Sequence, residues 1–152
     1  MKDEYSVIES LKLTSSYNSV ADIERLIDKV CTSVGVNEDA YGNVLIAVTE
    51  AVNNAIQHGN KENETLSINV SVRNNKENVC FSVKDEGQGF DFDNLPDPTA
   101  PENLLKENGR GIFLMRNLAD KVEFTGEGNE VSLFFNKLFL AFLRILKILI
   151  YH

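Results

Sequence analysis

The chain has 152 residues, of which 43% are hydrophobic and 25% are charged, and this length and balance predict one globular domain with one core. Fifteen lysine and arginine residues against 23 acidic residues give a formal net charge of −8. That charge argues against the basic surface that binding a phosphate backbone requires, so direct nucleic-acid binding is set aside. The N-terminus has no apolar run after its charges, so we expect no secretory signal and a cytoplasmic protein.

The first part of the chain predicts a strand and then a helix. Tyr5 to Leu13 alternates as a strand does, with an interruption at Glu9. Ser19 and Asp22 match an S-x-x-D cap before apolar residues at helical spacing, and Gly35 ends that helix.

A second long helix is predicted between Asn37, which can cap its start, and Gly59. Cys31 in the first helix and Cys80 further on both lie in apolar periodic segments. We therefore expect buried free thiols and neither a zinc site nor a disulfide.

The second part of the chain changes to a period of two. Leu66 to Val72 and Val79 to Val83 alternate on either side of a polar turn, which predicts an antiparallel hairpin. Phe90 to Glu107 holds all three prolines and is long enough to be a functional lid. A short helix, Ile112 to Leu118, and two strands at Val122 to Phe124 and Val131 to Phe135 follow. Each element has one apolar face to bury, so the fold class predicted is α/β (α+β), a two-layer sandwich of helices on a largely antiparallel mixed sheet.

Three clusters of residues suit nucleotide chemistry. On the second helix Glu50, Asn54 and His58 are four residues apart in succession, so they project from one side. A polar stripe usually faces solvent, but EAVNNAIQHGN carries short amides and a carboxylate where a solvated face would carry lysine and arginine. Such groups suit a hydrated Mg²⁺ and the orientation of a nucleophile.

The second cluster, Asp85 to Phe90, follows the strand that ends near Lys84. Asp85 can accept a hydrogen bond from an exocyclic amine, and Gly87 and Gly89 let the backbone approach a flat ring closely. A tight turn explains these glycines equally well.

The third cluster is Asn108, Gly109, Arg110 and Gly111, which places glycines and a cation at a helix N-terminus. Free backbone N–H groups there favour phosphate, although a tight turn is again the alternative.

Together the three clusters, in this order and separated by a lid-like segment, resemble the N, G1 and G2 boxes of the Bergerat ATPases. Over about residues 5–137 the chain is most similar to the bacterial anti-sigma factors that are also serine kinases, on the stretches AVTEAVNNAIQHGN, KDEGQGFDF and GRGIFLMRNLADKVEF. The resemblance implies a histidine-kinase-like ATPase (Bergerat) fold that binds ATP and Mg²⁺. It implies Glu50 as catalytic base and Asn54 as Mg²⁺ ligand. The implied nucleotide-binding residues are Asn54, Asp85, Gly87, Gly89, Asn108, Gly109, Arg110 and Gly111.

The function implied is that of an anti-sigma factor and serine-protein kinase that phosphorylates an anti-sigma factor antagonist. Its partners would be that antagonist and an alternative sigma factor, and we expect a homodimer. Two alternatives stay open, namely a nucleotide-dependent module that sequesters a partner without kinase activity, and the ATP-binding subunit of a histidine kinase system.

The chain departs from the family pattern in two places. Family members commonly have threonine after the last glycine turn, where this chain has Asn129, Glu130 and then Ser132. Some members have a basic residue just before the third cluster, for which Lys106 and Arg110 are the candidates here.

An apolar tail, residues 138–152, lies beyond the ATPase domain predicted at residues 1–137. As a helix, Leu138 to Tyr151 would span roughly 20 Å, shorter than the ~30 Å hydrocarbon core, so a transmembrane segment is disfavoured. In order of preference we expect a helix against a partner or dimer mate, an interfacial membrane helix, or an atypical terminus.

Overall fold

The computed structural model describes residues 4–36, 38–89 and 107–137, with only the backbone of residues 38, 39 and 107–109 described. Within these ranges a single sheet is formed by β1 (Ser6–Thr14), β2 (Ser67–Asn74), β3 (Asn78–Lys84), β4 (Lys121–Thr125) and β5 (Glu130–Asn136). The strands are ordered β1-β2-β3-β5-β4, and each pair of neighbours is antiparallel. The last strand in the sequence is thus inserted between β3 and β4.

The helices are α1 (Val20–Val34), α2 (Glu38–Asn54) and α3 (Glu107–Leu118). A 3₁₀ turn (Tyr17–Ser19) precedes α1, and α2 continues into a π-helical turn, Ala55–Gly59. Gly35 ends α1 in the left-handed conformation with φ 77°, and its N–H donates to the carbonyl of Cys31. Glycine adopts this conformation without strain, which confirms the predicted helix end.

The core fills the space between the helices and one face of the sheet. Cross-strand register aligns Val70 with Val83 and Val83 with Val131, all buried, so three strands present one apolar row to α2. The fully buried side chains on the helix side include Ile23, Ile27, Val30, Val44, Val48 and Val52. Cys31 and Cys80 are buried and free, as predicted. This arrangement confirms the two-layer α/β sandwich.

The helix boundaries differ from the sequence prediction in two places. Ser19 does not cap α1 through its side chain, because its backbone is already helical, with φ −73° and ψ −14°, whereas a capping residue is normally extended; its hydroxyl donates 3.0 Å to the carbonyl of Thr14. The predicted S-x-x-D cap was therefore wrong, because the Ser19 side chain makes no capping hydrogen bond. Helix α3 begins at Glu107, well before the predicted Ile112, so the third cluster lies inside its first turns and not ahead of it.

The strands follow the prediction closely, and the interruption at Glu9 corresponds to a shift of register between Val7 and Glu9 in the β1–β2 pairing. Residues 90–106 of the predicted lid, the Asn37 cap and the apolar tail lie outside the described residues, whereas Glu107, the last residue of that lid, begins α3. No helix within the described ranges is long and apolar enough to cross a membrane.

Candidate functional site

A pocket open to solvent lies where the C-terminal part of α2 faces the end of β3 and the start of β5. Its walls are mainly apolar, and its polar side chains are those of Asn54, His58, Asp85, Asn129 and Glu130. The apolar wall is formed by Ala51, Ala55, Val83, Ile112, Met115, Phe124 and Val131. A mostly apolar cavity with a few converging polar groups is the usual form of a small-molecule site.

Asp85 stands at the point where β3 ends. Its backbone N–H donates 2.9 Å to the carbonyl of Asn129, and its Oδ1 accepts 2.7 Å from the N–H of Gly87. The carboxylate is thereby fixed by its own loop while it faces the pocket. Burial raises the pKa of the Asp85 carboxyl, and the Gly87 hydrogen bond partly opposes that shift. A desolvated acceptor of this kind is suited to a hydrogen bond from a ligand amine.

The two glycines beside Asp85 leave no room for side chains. A β-carbon added to Gly59 would lie 2.3 Å from Asp85 Oδ2, and one added to Gly87 would lie 2.1 Å from the carbonyl oxygen of Gly59. Real β-carbons do not approach other atoms so closely. The π-helical turn and the loop after β3 therefore pack backbone against backbone at this end of the pocket.

At Gly89 the same loop packs closely against the β4–β5 turn. Its φ is +81°, and a β-carbon there would lie 1.8 Å from the carbonyl oxygen of Glu127. Both the left-handed backbone and the close contact require glycine. The sequence prediction that Gly87 and Gly89 permit close backbone approach is consistent with this packing, although the partner seen here is the protein's own backbone.

At the other end, Glu50 and Asn54 converge on α3. The position of a β-carbon on Gly111 lies 3.0 Å from Glu50 Oε2 and 3.1 Å from Asn54 Nδ2. Both polar side chains are half-buried. The first two residues of the stripe predicted on α2 are therefore packed against α3, whereas its third residue, His58, is exposed.

The structure brings the first and third clusters together but does not place all their members in the pocket. Asn54 lines the pocket, whereas Glu50 and Gly111 lie next to Asn54 at its edge. Arg110 is exposed. Asn108 and Gly109 lie in the first turn of α3, and Lys106 is outside the described residues.

Asn129 directly follows the glycine turn between β4 and β5, in the stretch where the sequence departs from the family pattern. It lines the pocket, and its Nδ2 donates 3.3 Å to the carbonyl of Asp85. Ser132 cannot take the threonine's place, because its hydroxyl pairs at 2.8 Å with that of Ser82 on the sheet face away from the helices. Asn129 is thus the polar residue that accompanies Asp85.

The π-helical turn was missed from the sequence. It carries His58, which is exposed and lines the pocket, and Gly59, which contacts Asp85. π-Helical turns are rare in proteins, and those that occur are often found at functional sites. The residues HGN gave only the signal of a helix end, so nothing in the pattern indicated that the helix widens here.

No group of three histidine, cysteine, aspartate or glutamate side chains able to hold a metal ion occurs in the part of the chain that the structure describes. A zinc-type site of protein ligands is therefore not found among those residues. Mg²⁺, by contrast, is usually held by one or two protein oxygens together with phosphates and water. Asn54, with Glu50 beside it, is compatible with that mode.

Comparison with known proteins agrees with this geometry. A family model described as a histidine kinase-like ATPase domain matches residues 13–135. The chain belongs to the histidine kinase-like ATPase domain family. Within that family it resembles the anti-sigma kinases. It is 30% identical over 129 residues to the serine-protein kinase RsbW of Staphylococcus aureus strains JH9, Newman and JH1, a match that covers 80% of this chain and 80% of each relative.

A solved structure shares the fold. The crystal structure of the RsbU and RsbW domains of Rv1364c from Mycobacterium tuberculosis superposes with a TM-score of 0.57 at 16% identity. The match covers 85% of this chain and 32% of that chain, so the present chain spans about a third of the length of that protein. At this identity the likeness concerns the fold alone.

Proposed function

We propose that the pocket binds ATP, with the adenine amine at Asp85 and the phosphates toward Asn54 and the N-terminal turns of α3. The observation that supports this most directly is the half-buried Asp85 carboxylate, held by Gly87 and flanked by glycines at one end of an apolar pocket. A flat base with an exocyclic amine matches both the apolar walls and the half-buried acceptor at Asp85. Asn129 adds a second polar group beside it.

The phosphate end would be formed by the start of α3. Backbone N–H groups in the first turn of a helix have no partner within the helix, and they favour anions. Asn108, Gly109, Arg110 and Gly111 lie in these first turns. Gly111 lets α3 approach Glu50 and Asn54 closely, so that all the polar groups of this end can act on one phosphate chain.

Asn54 is the proposed Mg²⁺ ligand, through its side-chain oxygen. Bound Mg²⁺ would neutralise phosphate charge during transfer. The chain's own contribution is to hold the amide of Asn54 at the pocket wall, where the half-buried helix face and Gly111 restrict its movement.

Glu50 is the proposed catalytic base. It would accept the proton of a serine hydroxyl as the serine oxygen forms a bond to the γ-phosphorus, while the bond from that phosphorus to its bridging oxygen breaks and ADP leaves. Its half-buried carboxylate lies beside Gly111 and near Asn54, at the proposed phosphate end of the pocket. The role therefore fits a group outside the base-binding part of the site.

We propose a serine-protein kinase activity toward an anti-sigma factor antagonist, and sequestration of an alternative sigma factor by the same protein. The support is the relatives named serine-protein kinase RsbW and the resemblance of the three sequence clusters to anti-sigma kinases. We further propose a cytoplasmic homodimer, with residues 1–137 as the ATPase domain and the tail at a partner or dimer contact.

The experiment is phosphorylation of purified candidate antagonist domains with labelled ATP and Mg²⁺. We expect an acid-stable phosphoserine that forms only when protein, ATP and Mg²⁺ are all present. An acid-labile product would indicate a phosphohistidine and a histidine kinase system. ATP binding with no transfer to any cognate antagonist would leave the sequestering module as the function.

A further inference from the structure

Asn60, the residue that follows the π-helical turn, is the most connected buried polar side chain near the pocket. It is 2% exposed, although asparagine is usually found at the surface. Its Nδ2 donates 2.6 Å to Ser15 Oγ and 3.0 Å to the carbonyl of Ser67, and its Oδ1 accepts 2.8 Å from the N–H of Glu86. Both amide protons and the carbonyl oxygen are therefore used.

The hydrogen bonds around Asn60 close into a triangle. Glu86 donates its N–H to Asn60 Oδ1 and accepts 2.5 Å from the N–H of Ser67 through Oε2, while Ser67 offers its carbonyl to Asn60 Nδ2. Each of the three residues thus makes one donor and one acceptor contact. The triangle ties the end of the π-helical turn, the start of β2 and the loop after β3 to one another.

This arrangement bears directly on the proposed base-binding end of the pocket. Glu86 is the residue after Asp85, and Gly59, which contacts the Asp85 carboxylate, is the residue before Asn60. Asp85 itself is anchored on its other side by the carbonyl of Asn129. The hydrogen bond from Glu86 to Asn60 is therefore what holds the loop against the π-helical turn, where the side chain of Asp85 meets Gly59.

We propose that Asn60 is a positioning residue for the nucleotide base: through its Oδ1 it fixes the Asp85–Gly87 turn in the geometry that presents the Asp85 carboxylate to the pocket. It does not line that pocket, so it acts through Asp85 and not on the ligand. The expected change in ATP affinity rests on the proposed function, whereas the expected change in amide exchange at Glu86 does not.

A purely structural role is the competing explanation, because Asn60 also bonds Ser15 at the end of β1. Ser15 provides the matched control. It is 1% exposed. Its hydroxyl accepts from Asn60 Nδ2 and donates 2.9 Å to the carbonyl of Leu66, and neither hydrogen bond involves Glu86. Ser15→Ala therefore removes the structural branch of the network and keeps the branch that reaches the loop.

The test compares Asn60→Ala with Ser15→Ala in the full chain by NMR amide exchange and by calorimetric titration of ATP with Mg²⁺. For Asn60→Ala we expect exchange of the Glu86 amide to rise about tenfold or more relative to core amides such as that of Phe81, and ATP affinity to fall about tenfold or more. For Ser15→Ala we expect both quantities to stay within about twofold of wild type even where global stability falls.

If Asn60→Ala does not fold, Asn60→Ser serves in its place, because the shorter hydroxyl keeps a polar group in the cavity without reaching Glu86. A Glu86 amide that stays as protected as in wild type would overturn the proposal. So would equal losses of protection and affinity in the Ser15 and Asn60 variants. If wild type binds no ATP, the proposed function fails, and the exchange measurement alone then decides whether Asn60 positions the turn.

Discussion

The carboxylate of Asp85 lies directly against the α-carbon of Gly59, so that a β-carbon on Gly59 would be 2.3 Å from Asp85 Oδ2. The two residues come from different layers of the sandwich, one from the end of the long helix and one from the end of a central strand. Their contact is the point at which the helical layer and the sheet define the proposed base-binding end of the pocket.

Gly59→Ala should displace the Asp85 side chain and weaken ATP binding. The added methyl group cannot share the space of the carboxylate, so the carboxylate must rotate away, at a cost in stability of about 1–3 kcal/mol. We expect ATP affinity to fall about tenfold or more, as measured by calorimetry on folded protein.

Gly42→Ala is the matched control for that variant. Gly42 lies within α2, and a β-carbon there would have nothing within 4 Å. Alanine should therefore stabilise the helix by roughly 0.5–1 kcal/mol and leave ATP affinity unchanged. Equal affinities for the two alanine variants would contradict the assignment of the Asp85 end of the pocket.

Asp85→Asn should weaken ATP and ADP binding without unfolding the chain. An amide would place an NH₂ donor where the adenine amine needs an acceptor, and losing a charge-assisted hydrogen bond costs roughly 1.5–3 kcal/mol, about tenfold or more in affinity. Glu86→Gln is the control, because the neighbouring side chain is exposed and glutamine still offers an oxygen to Ser67. Wild-type affinity in a folded Asp85→Asn protein would refute the adenine contact.

The same carboxylate should make stability depend on pH. Burial raises the pKa of Asp85 above its ordinary value of 3.8, so the folded state binds a proton more readily than the unfolded state. The stability that this group contributes is therefore complete below its unfolded pKa and is lost as pH rises through the folded pKa. Urea titrations of nucleotide-free protein should show wild type gaining stability relative to Asp85→Asn as pH falls from neutrality toward that window. A difference that does not change with pH would contradict the burial of this carboxyl.

Glu50→Ala should separate catalysis from binding. If Glu50 accepts the proton of the attacking serine, its loss should lower single-turnover phosphorylation roughly 10²-fold or more while ATP and antagonist binding persist. Glu50→Gln, which keeps the size but cannot accept the proton, should be equally slow. Full phosphorylation by either variant, with folding checked by circular dichroism, would remove the assignment of Glu50 as catalytic base.

Asn54→Ala should instead weaken the part of ATP binding that depends on Mg²⁺. We expect weaker Mg²⁺-dependent ATP binding and slower phosphorylation, with affinity for nucleotide in the absence of Mg²⁺ nearly unchanged. Asn53→Ala is a close control, because Asn53 is the adjacent asparagine on α2 and does not line the pocket. Calorimetric titrations with and without Mg²⁺ on both variants distinguish a metal ligand from a residue that only packs.

Truncation after Lys137 should leave ATP binding intact and change solubility, self-association or membrane recovery. The shortened chain keeps the contacts that secure the end of β5, in which the backbone and side chain of Lys137 donate to the carbonyls of Glu77 and Asn75. Gel filtration and ATP titration of the truncated protein provide the measurement. A chain that no longer folds would show that the tail belongs to the core.

Local patterns were sufficient where one physical signal dominated. The alternation around Val72 reports burial of one face of β2, so the hairpin followed from the sequence, although the central strand β3 is buried on both faces. The start of α3 was placed too late because glycines at 109 and 111 disfavour helix in isolation. In the fold Gly111 instead allows α3 to approach Glu50 and Asn54, a tertiary contact that no local propensity contains.

The hydrogen bonds that position the site could not be predicted from the sequence pattern. The hydrogen bonds of Asn60 join it to Ser15 and Glu86, residues far away in the sequence, and the text HGN resembles any polar helix end. Ser19 shows the converse error, since it matches a local cap motif but has helical backbone angles and makes no capping hydrogen bond through its side chain. Long-range polar pairing decided the case of Asn60, whereas local backbone geometry decided that of Ser19.

The insertion of β5 between β3 and β4 has a consequence for biosynthesis. A ribosome releases β3 and β4 before β5, so until residue 136 has emerged β3 has a free edge along Val79 to Val83 and β4 has no strand to pair with. An apolar strand with an unpaired edge is prone to self-association, and the nascent chain therefore passes through a vulnerable interval. The pocket also lacks Asn129 and Val131 during that interval, so nucleotide cannot protect the chain until its synthesis has passed the last strand.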